Sequence, residues 1–218
     1  MTSSGAAAQT GTIRVVIADD EALIASSLST LLSLEEDIDV IGTFASGEEL
    51  LEWWIKQLTF GEPVADVGVL DLNMTGIDGI DTAAKLLQQS PDAGMMIVTS
   101  HARPRGLKRA LAVGVRGFLP KTSSAEEFAS GIRAVHEGKR HLDADVAAAA
   151  IGAGESPLSE REAEILEVAG EGGSVEDIAA RVHLASGTVR NYLSSAMGKL
   201  AAANRFEAYS KARDEGWL

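Results

Sequence analysis

Short apolar runs alternate with amphipathic stretches between residues 12 and 137, and this alternation limits the possible folds more than any other feature. Five runs have the length and the β-branched or apolar content of strands: "IRVVIAD", "DVIGTFA", "VGVLD", "MMIVTS" and "GFLPK". The stretches between them repeat apolar residues at helical spacing. This pattern predicts a doubly wound α/β fold, in which helices cover both faces of a five-stranded parallel sheet.

The pattern changes after Gly138. The stretch "KRHLDADVAAAAIGAGESP" is rich in Ala and Gly and ends in proline, which is typical of a linker, and "DADVAAAAI" within it could form a short helix. From Ser159 onward the apolar spacing is helical. We therefore expect four segments: a flexible tail at 1–11, an α/β domain at 12–138, a linker at 139–156 and an all-α domain at 157–218.

Composition narrows the classes of function. No apolar run approaches the roughly 20 residues needed to cross a bilayer, and the small polar N-terminus is unlike a signal peptide, so we expect a cytoplasmic protein without a membrane partner. The chain has no cysteine, which excludes disulfides, thiolate metal sites and cysteine nucleophiles. The net charge of −13 argues against nucleic-acid binding. Residues 156–218, however, contribute only −3 of it.

Polar and charged residues end four of the predicted strands. Asp19 and Asp20 close the first, Asp71 the third, Thr99 the fourth and Lys121 the fifth. Because ligands bind beyond the carboxyl ends of parallel strands, we expect these side chains to gather at one edge of the sheet. Three carboxylates in one pocket repel one another unless a cation joins them. Oxygen ligands without Cys or His favour Mg²⁺.

The lysine and the threonine give this pocket a second meaning. A structural metal site needs neither, whereas a carboxylate that accepts a phosphoryl group uses an ammonium and a hydroxyl to hold the transferred oxygens. Asp71 is therefore interpreted as a phosphoryl acceptor. Taken singly, Asp71 is better explained as a cap or turn residue and Lys121 as a surface lysine. The hypothesis rests on the whole set occurring in register.

Residues 13–137 resemble the receiver domain of two-component response regulators, a flavodoxin-like fold. The resemblance is carried by the strand-end residues Asp19, Asp20, Asp71, Asn73, Thr99, Phe118 and Lys121. It implies that Asp20 binds Mg²⁺ directly and Asp19 through water. Asp71 and the backbone carbonyl of Asn73 would be further ligands.

The resemblance also implies roles for the fourth and fifth strands. Thr99 would swing toward the phosphoryl group, Lys121 would pair with it, and Phe118 would be an aromatic switch that rotates inward. The chain departs from the family at Thr75, where proline is common, a difference not expected to touch the phosphoryl chemistry directly. His101 lies where the family varies its rate of dephosphorylation.

The stretch "VEDIAARVHLASGTVRNYLSSAMGKL" has the layout of a helix-turn-helix. The first helix is expected to reach about Val182, and Ser186 is expected to cap the second. An inward face on the second helix comprises Val189, Leu193, Met197 and Leu200. The other side carries Arg190, Asn191, Ser194 and Lys199, which suits contacts in the major groove. A helical packing module with a solvated polar face explains the periodicity equally well.

Residues 156–218 resemble the LuxR-type output domain of the NarL/FixJ response regulators. "LSEREAEILEVAGEG" matches its opening helix, "SGTVRNYLSSAMGKL" its recognition helix and "NRFEAY" the start of its last helix. The resemblance favours DNA binding. It implies that Arg190, Asn191 and Ser194 face the groove, with Thr188 and Lys199 nearer the DNA backbone. "SGTVRNY" and the terminal "ARDEGWL" are especially similar to the DesR-type members.

Together these features predict a DNA-binding response regulator rather than an enzyme. A sensor histidine kinase would phosphorylate Asp71, and the protein would then form a homodimer, bind paired half-sites on double-stranded DNA and regulate transcription. One alternative is a DNA-binding regulator that acts without phosphorylation. Another is a Mg²⁺-dependent phosphatase with an aspartate nucleophile, which would need a general acid where Asn73 stands.

Overall fold

The computed structural model describes residues 11–152 and 156–218. Of the predicted tail at 1–11, all but the last residue lies outside these ranges. The chain divides into two compact units, the first formed by residues up to Ala102 with Arg109–Asp143, the second by Arg103–Lys108 with Ala144–Leu218. The main division after Asp143 falls inside the predicted linker. The predicted domain limits themselves stay predictions.

The first unit is built on a parallel sheet. Its strands are β1 (Ile13–Ala18), β2 (Ile38–Phe44), β3 (Val67–Asp71), β4 (Gly94–Thr99), β5 (Gly117–Pro120) and β6 (His141–Leu142). They lie in the order β2-β1-β3-β4-β5-β6. The doubly wound fold is confirmed, with one strand more than predicted. Strand β6 pairs with Gly117 and Phe118 of β5, and two residues are too few to show a strand period in the sequence.

Helices follow the strands as the alternation predicts. They are α1 (Ala22–Leu32), α2 (Gly47–Phe60), α3 (Gly79–Gln89), α4 (Pro104–Ala112) and α5 (Ala125–His136). A continuous apolar core joins α1 and α5 to one face of the sheet, including Leu28, Ile132 and Val69. β3 and β4 are buried along their whole length, as expected of central strands covered on both faces.

The reversal of strand order lies at β1. Strand β1 pairs with β2 on one side and with β3 on the other, so the chain winds outward in both directions from this point. A crevice forms at such a reversal, beyond the carboxyl ends of the two strands. The residues that follow β1 and end β3 are Asp19, Asp20 and Asp71, which is why the fold itself brings them together.

The second unit is helical. It contains α6 (Ala144–Gly152), α7 (Glu160–Gly170), α8 (Val175–Arg181), α9 (Ser186–Lys199) and α10 (Arg205–Asp214). The short helix predicted in the linker is thus present as α6. Ser159 and Ser174 begin α7 and α8 with capping boxes, in which side chain and backbone exchange hydrogen bonds. An apolar core that includes Ile165, Val189 and Leu193 holds α7 to α10 together.

The helix-turn-helix is formed by α8, a turn at 182–185 and α9. The inward face predicted for α9 is present: Val189, Leu193 and Leu200 are buried, and Met197 packs against the same core. The predicted cap is wrong by one residue. Ala185 occupies the cap position without a side-chain hydrogen bond, and Ser186 is already helical.

None of the helices within residues 11–152 and 156–218 has the length and apolar content needed to span a membrane.

Candidate functional site

Three carboxylates meet at the reversal of strand order. Asp19 and Asp20 follow β1, and Asp71 is the last residue of β3. One carboxylate oxygen from each lies within 4.8 Å of the other two. Asp19 and Asp71 are only 3% and 4% exposed, whereas Asp20 lies at the exposed mouth of the pocket. The sequence prediction that these groups gather at one edge of the sheet agrees with this arrangement.

Lys121 supplies the counter-charge inside the pocket. Its Nζ lies 2.8 Å from Asp19 Oδ2, 2.9 Å from Glu21 Oε1 and 3.2 Å from Asp71 Oδ1. Burial by itself would lower the pKa of Lys121, but the hydrogen bonds to Asp19 and Glu21 and the charge of Asp71 raise it above its ordinary value. The ammonium therefore stays protonated, and its three N–H donors match three carboxylates.

Asp71 lies at a position where a negative charge is disfavoured. Burial raises the pKa of its carboxyl above the ordinary value, and the charges of Asp19 and Asp20 raise it further, against the opposing effect of Lys121. A cation placed among the three carboxylates would relieve this repulsion. The donors are all oxygen atoms, with no Cys or His among them, and such a set fits Mg²⁺.

Glu21 is a member of the pocket that sequence reasoning did not identify. Its carboxylate holds Lys121, and its backbone N–H donates to Asp19 Oδ1 at 2.9 Å. The signal was present in the sequence, because Glu21 directly follows the two aspartates. What the sequence could not show is that a lysine one hundred residues away would lie opposite it.

Thr99 and Phe118 lie on the neighbouring strands β4 and β5. Both are completely buried. The Thr99 hydroxyl oxygen accepts a hydrogen bond from the His101 N–H at 3.1 Å, so a movement of this side chain would have to break that bond. The Phe118 ring already lies inward in this structure.

The loop from β3 to α3 forms the remaining wall. Asn73 lies in it, exposed, two residues after Asp71. Thr75, which sequence reasoning placed outside the chemistry, contacts the cluster directly: its N–H and its hydroxyl both donate to Asp20 Oδ2, each at 3.1 Å. The expectation that Thr75 does not touch the phosphoryl chemistry directly stays a prediction, but the residue does contact a carboxylate of the cluster.

Two glycines give this loop its shape. Gly76 has φ of +87°, which L side chains rarely adopt, and a Cβ there would lie 2.4 Å from Glu48 Oε1. At Gly79 a Cβ would lie only 2.1 Å from the backbone oxygen of Asp71. The glycine-rich turn after Asp71 is thus required for α3 to begin directly against the end of β3.

The second candidate surface lies on α9. Arg190, Asn191 and Ser194 are exposed together on this helix, and Thr188 is half-buried near its start. An Arg190 Nη2 atom forms an ion pair with Glu176 Oε1 of α8 at 2.9 Å, and both side chains are more than 60% exposed. The polar face predicted for α9 is therefore present, although its Arg190 is paired with the carboxylate of Glu176.

Lys199 differs from the other predicted contacts on α9. Its Nζ lies 2.6 Å from Glu162 Oε2 on α7, and Ser195 Oγ donates to the other oxygen of the same carboxylate at 2.6 Å. Burial alone would raise the pKa of Glu162, but hydrogen bonds from Lys199, Ser195 and Ser159 lower it to about 2. Lys199 thus anchors the end of α9 to α7, a role that the sequence did not indicate.

Comparisons with known proteins agree with this geometry. Residues 15–133 match the response regulator receiver domain, and residues 156–212 match the luxR family of bacterial regulatory proteins. The chain is 35% identical to the transcriptional regulatory protein DesR of Bacillus subtilis over 210 residues, covering 94% of this chain and 99% of that protein.

Two further relatives span nearly the whole chain. The uncharacterized transcriptional regulatory protein YvfU of Bacillus subtilis is 37% identical over 206 residues, covering 94% of this chain and all of that protein. The crystal structure of ChrA, a response regulator in a heme-sensing two-component system, superposes with a TM-score of 0.54 at 28% identity, covering 95% of this chain and all of that one. The similarity therefore extends over both units.

Proposed function

Because the chain belongs to the LuxR-type DNA-binding response regulators, we propose that a sensor histidine kinase phosphorylates it on Asp71 and that this step controls its dimerisation and DNA binding. One observation carries the proposal. A nearly buried Asp71 carboxylate, whose pKa is raised, lies beside two further aspartates and 3.2 Å from the ammonium of Lys121. A phosphoryl group transferred to this carboxylate would lie beside the Lys121 ammonium and beside the cation that the aspartates would bind.

The transfer is a displacement at phosphorus. A carboxylate oxygen of Asp71 forms the new O–P bond while the P–N bond to the kinase's phosphohistidine breaks, and the imidazole nitrogen leaves with the bonding electron pair. Lys121 pairs with the arriving negative charge. When bound, Mg²⁺ neutralises charge on the transferred oxygens. Asp19, Asp20, Asp71 and the backbone carbonyl of Asn73 are the groups that would hold the ion.

The proposed switch is a two-state equilibrium biased by phosphorylation. Thr99 gives up its bond from the His101 N–H and donates its hydroxyl hydrogen to the phosphoryl group. Phe118 is buried on the adjoining strand β5, and we propose that a movement of Thr99 changes the packing around its ring. The homodimer formed by the switched state presents two copies of α9, whose spacing selects paired half-sites on double-stranded DNA.

On DNA, Arg190, Asn191 and Ser194 are proposed to read base edges, with Thr188 and Lys199 nearer the phosphates. The exposure of the first three supports this division. Lys199 keeps a 39% exposed side chain despite its bond to Glu162, so it retains donors for a phosphate. Both proposed partners, DNA and the phosphohistidine of a kinase, fit a cytoplasmic location.

Two rivals remain to be separated by experiment. A regulator that acts without phosphorylation would keep the DNA surface and use the receiver only to dimerise. An aspartate-nucleophile phosphatase would need an acid where Asn73 stands, and an amide cannot donate a proton in that role. The family consists of transcription regulators, and we accordingly propose that this chain is not an enzyme.

Acetyl phosphate tests the acceptor directly. Full-length wild type, Asp71→Asn and Asp92→Asn are incubated with it, with and without Mg²⁺, and analysed by intact mass and by size-exclusion chromatography. Asp92 is an exposed aspartate of the same unit, so its variant controls for loss of charge. We expect a Mg²⁺-dependent gain of one phosphoryl group and a larger species in the wild type and in Asp92→Asn. Identical dimers in all three proteins without phosphoryl gain would favour the phosphorylation-independent regulator.

The DNA surface is tested by selection from random-sequence duplexes, followed by affinity measurements on the recovered sequences. Arg190→Ala and Asn191→Ala should each lower specific affinity by about 1–3 kcal/mol and relax the sequence preference. Arg213→Ala removes a similar charge from α10 and should leave the preference intact. Equal losses in all three variants would contradict the assignment of α9 as the reading helix.

A further inference from the structure

The contact between Thr75 and Asp20 joins two loops that are far apart in sequence. Two donors of one residue, the backbone N–H and the side-chain hydroxyl, reach the same oxygen, Asp20 Oδ2, each at 3.1 Å. The two residues are separated by 55 positions. Thr75 therefore does more than shape its own turn, because it fixes a carboxylate on the opposite side of the pocket.

Asp20 depends on this contact more than the other aspartates do on theirs. Asp19 receives a hydrogen bond from the Glu21 N–H and an ion pair from Lys121, and Asp71 is held by the same lysine. Both are buried. Asp20 is exposed, and an exposed side chain loses rotational freedom when it is ordered by a ligand. The Thr75 donors remove part of that freedom beforehand.

The donors of Thr75 are themselves held in place. Two residues later in the loop, the Ile77 N–H donates to Glu48 Oε1 at 3.0 Å, which ties the loop to the first turn of α2. The intervening Gly76 has the positive φ that lets the backbone turn between these two contacts. The two donors that Asp20 accepts from are therefore held in place by the contact between Ile77 and Glu48.

We propose that Thr75 is a positioning residue for the divalent cation: its hydroxyl and N–H hold the Asp20 carboxylate in the orientation that binds the ion. The inference rests on the proposed Mg²⁺ site. A carboxylate has about four lone-pair sites, so the bonds to Oδ2 leave the other oxygen free for the ion. Partners that orient a ligand without touching the metal commonly contribute tenfold or more to affinity.

The experiment measures metal affinity rather than phosphorylation. Mn²⁺ binding to the full chain is followed by the electron paramagnetic resonance signal of the free ion, and Mg²⁺ affinity is obtained by competition. Thr75→Val removes only the hydroxyl while keeping the branched shape and the N–H. Thr75→Ser keeps the hydroxyl and is the matched control. Asp20→Asn removes the ligand itself.

We expect Thr75→Val to lower the affinity for both Mn²⁺ and Mg²⁺ by about tenfold. Thr75→Ser should keep an affinity within about twofold of wild type, and Asp20→Asn should lose metal binding. Wild-type affinity, or tighter binding, in Thr75→Val while Asp20→Asn has lost the ion would overturn the positioning role and leave the metal site standing. Binding in Asp20→Asn equal to wild type, or no binding in the wild type, would refute the metal site and the inference with it.

Discussion

Replacement of Glu162 by glutamine tests whether the anchor between α7 and α9 stabilises the helical unit. The carboxyl has an ordinary pKa of 4.5, lowered to about 2 by its hydrogen bonds with Lys199, Ser195 and Ser159. A shift of that size corresponds to about 3 kcal/mol of folding free energy. Lys199 is 39% exposed, and solvent screening of such a partner reduces the expected loss to about 2 kcal/mol.

The dependence on pH follows from the direction of the shift. A lowered folded-state pKa contributes stability that is fully present above about 4.5 and is lost as the pH falls toward 2. Glutamine does not titrate. The stability difference between wild type and Glu162→Gln should therefore shrink to roughly half between pH 7 and pH 3.5, because only the wild type loses the contribution of Glu162 over that interval.

Urea titrations of the full chain at both pH values measure the effect, followed by the amide resonances of α7 and α9 so that the helical unit is observed alone. Glu164→Gln is the matched control. It removes a carboxylate from the same helix, but one whose side chain is 43% exposed, as against 6% for Glu162, and pairs of exposed charges contribute less than about 1 kcal/mol. Equal losses in the two variants at pH 7, or a difference that grows as the pH falls, would refute the reasoning.

Three further substitutions have defined outcomes. Glu176→Gln releases Arg190 from its ion pair and removes an acidic group beside α9, so affinity for duplex DNA should rise by about two- to fivefold at low salt and less as salt is added. A fall in affinity would contradict the proposed contact between α9 and DNA. Gly79→Ala places a Cβ against the backbone oxygen of Asp71 and should lower the free energy of unfolding by about 3 kcal/mol in urea titration, whereas an unchanged value would show that α3 can shift. Glu21→Gln leaves the pocket lysine with one charge partner fewer, so acetyl phosphate, an anion, should react faster with the protein by intact mass; a slower reaction would show that Glu21 helps the lysine meet the phosphoryl donor.

The position of the acidic pocket followed from the sequence because topology alone determines it. Parallel strands end at one edge, and the strand order reverses beside β1, so residues that follow β1 and β3 must meet there whatever the loops do. Asp71 and Lys121 could be assigned to one pocket for the same reason. The inward face of α9 could be predicted for a different reason, because the helical period decides which residues turn toward the core.

What the sequence did not reveal depends on loop conformation. The contacts of Thr75 with Asp20 and of Glu21 with Lys121 join segments whose approach is set by turns, not by a period of two or of 3.6. The anchor of Lys199 was missed for a related reason: a lysine at the end of a helix carries no mark of whether it faces a partner helix or solvent. Strand β6 exists because β5 offers it backbone groups, which no local pattern records.

The anchor of α9 has a consequence for protein engineering. The helix is held at its far end by Lys199 and along its inner face by buried residues such as Val189 and Leu193, while Arg190 and Asn191 project from its first half without bonds to that core. Redesign of the exposed positions therefore leaves the scaffold contacts intact. A library randomised only at these exposed positions would yield variants with new preferences for duplex sequence and with little loss of folding yield. A library that also included position 199 would contain variants that lack the anchor to α7 and are destabilised.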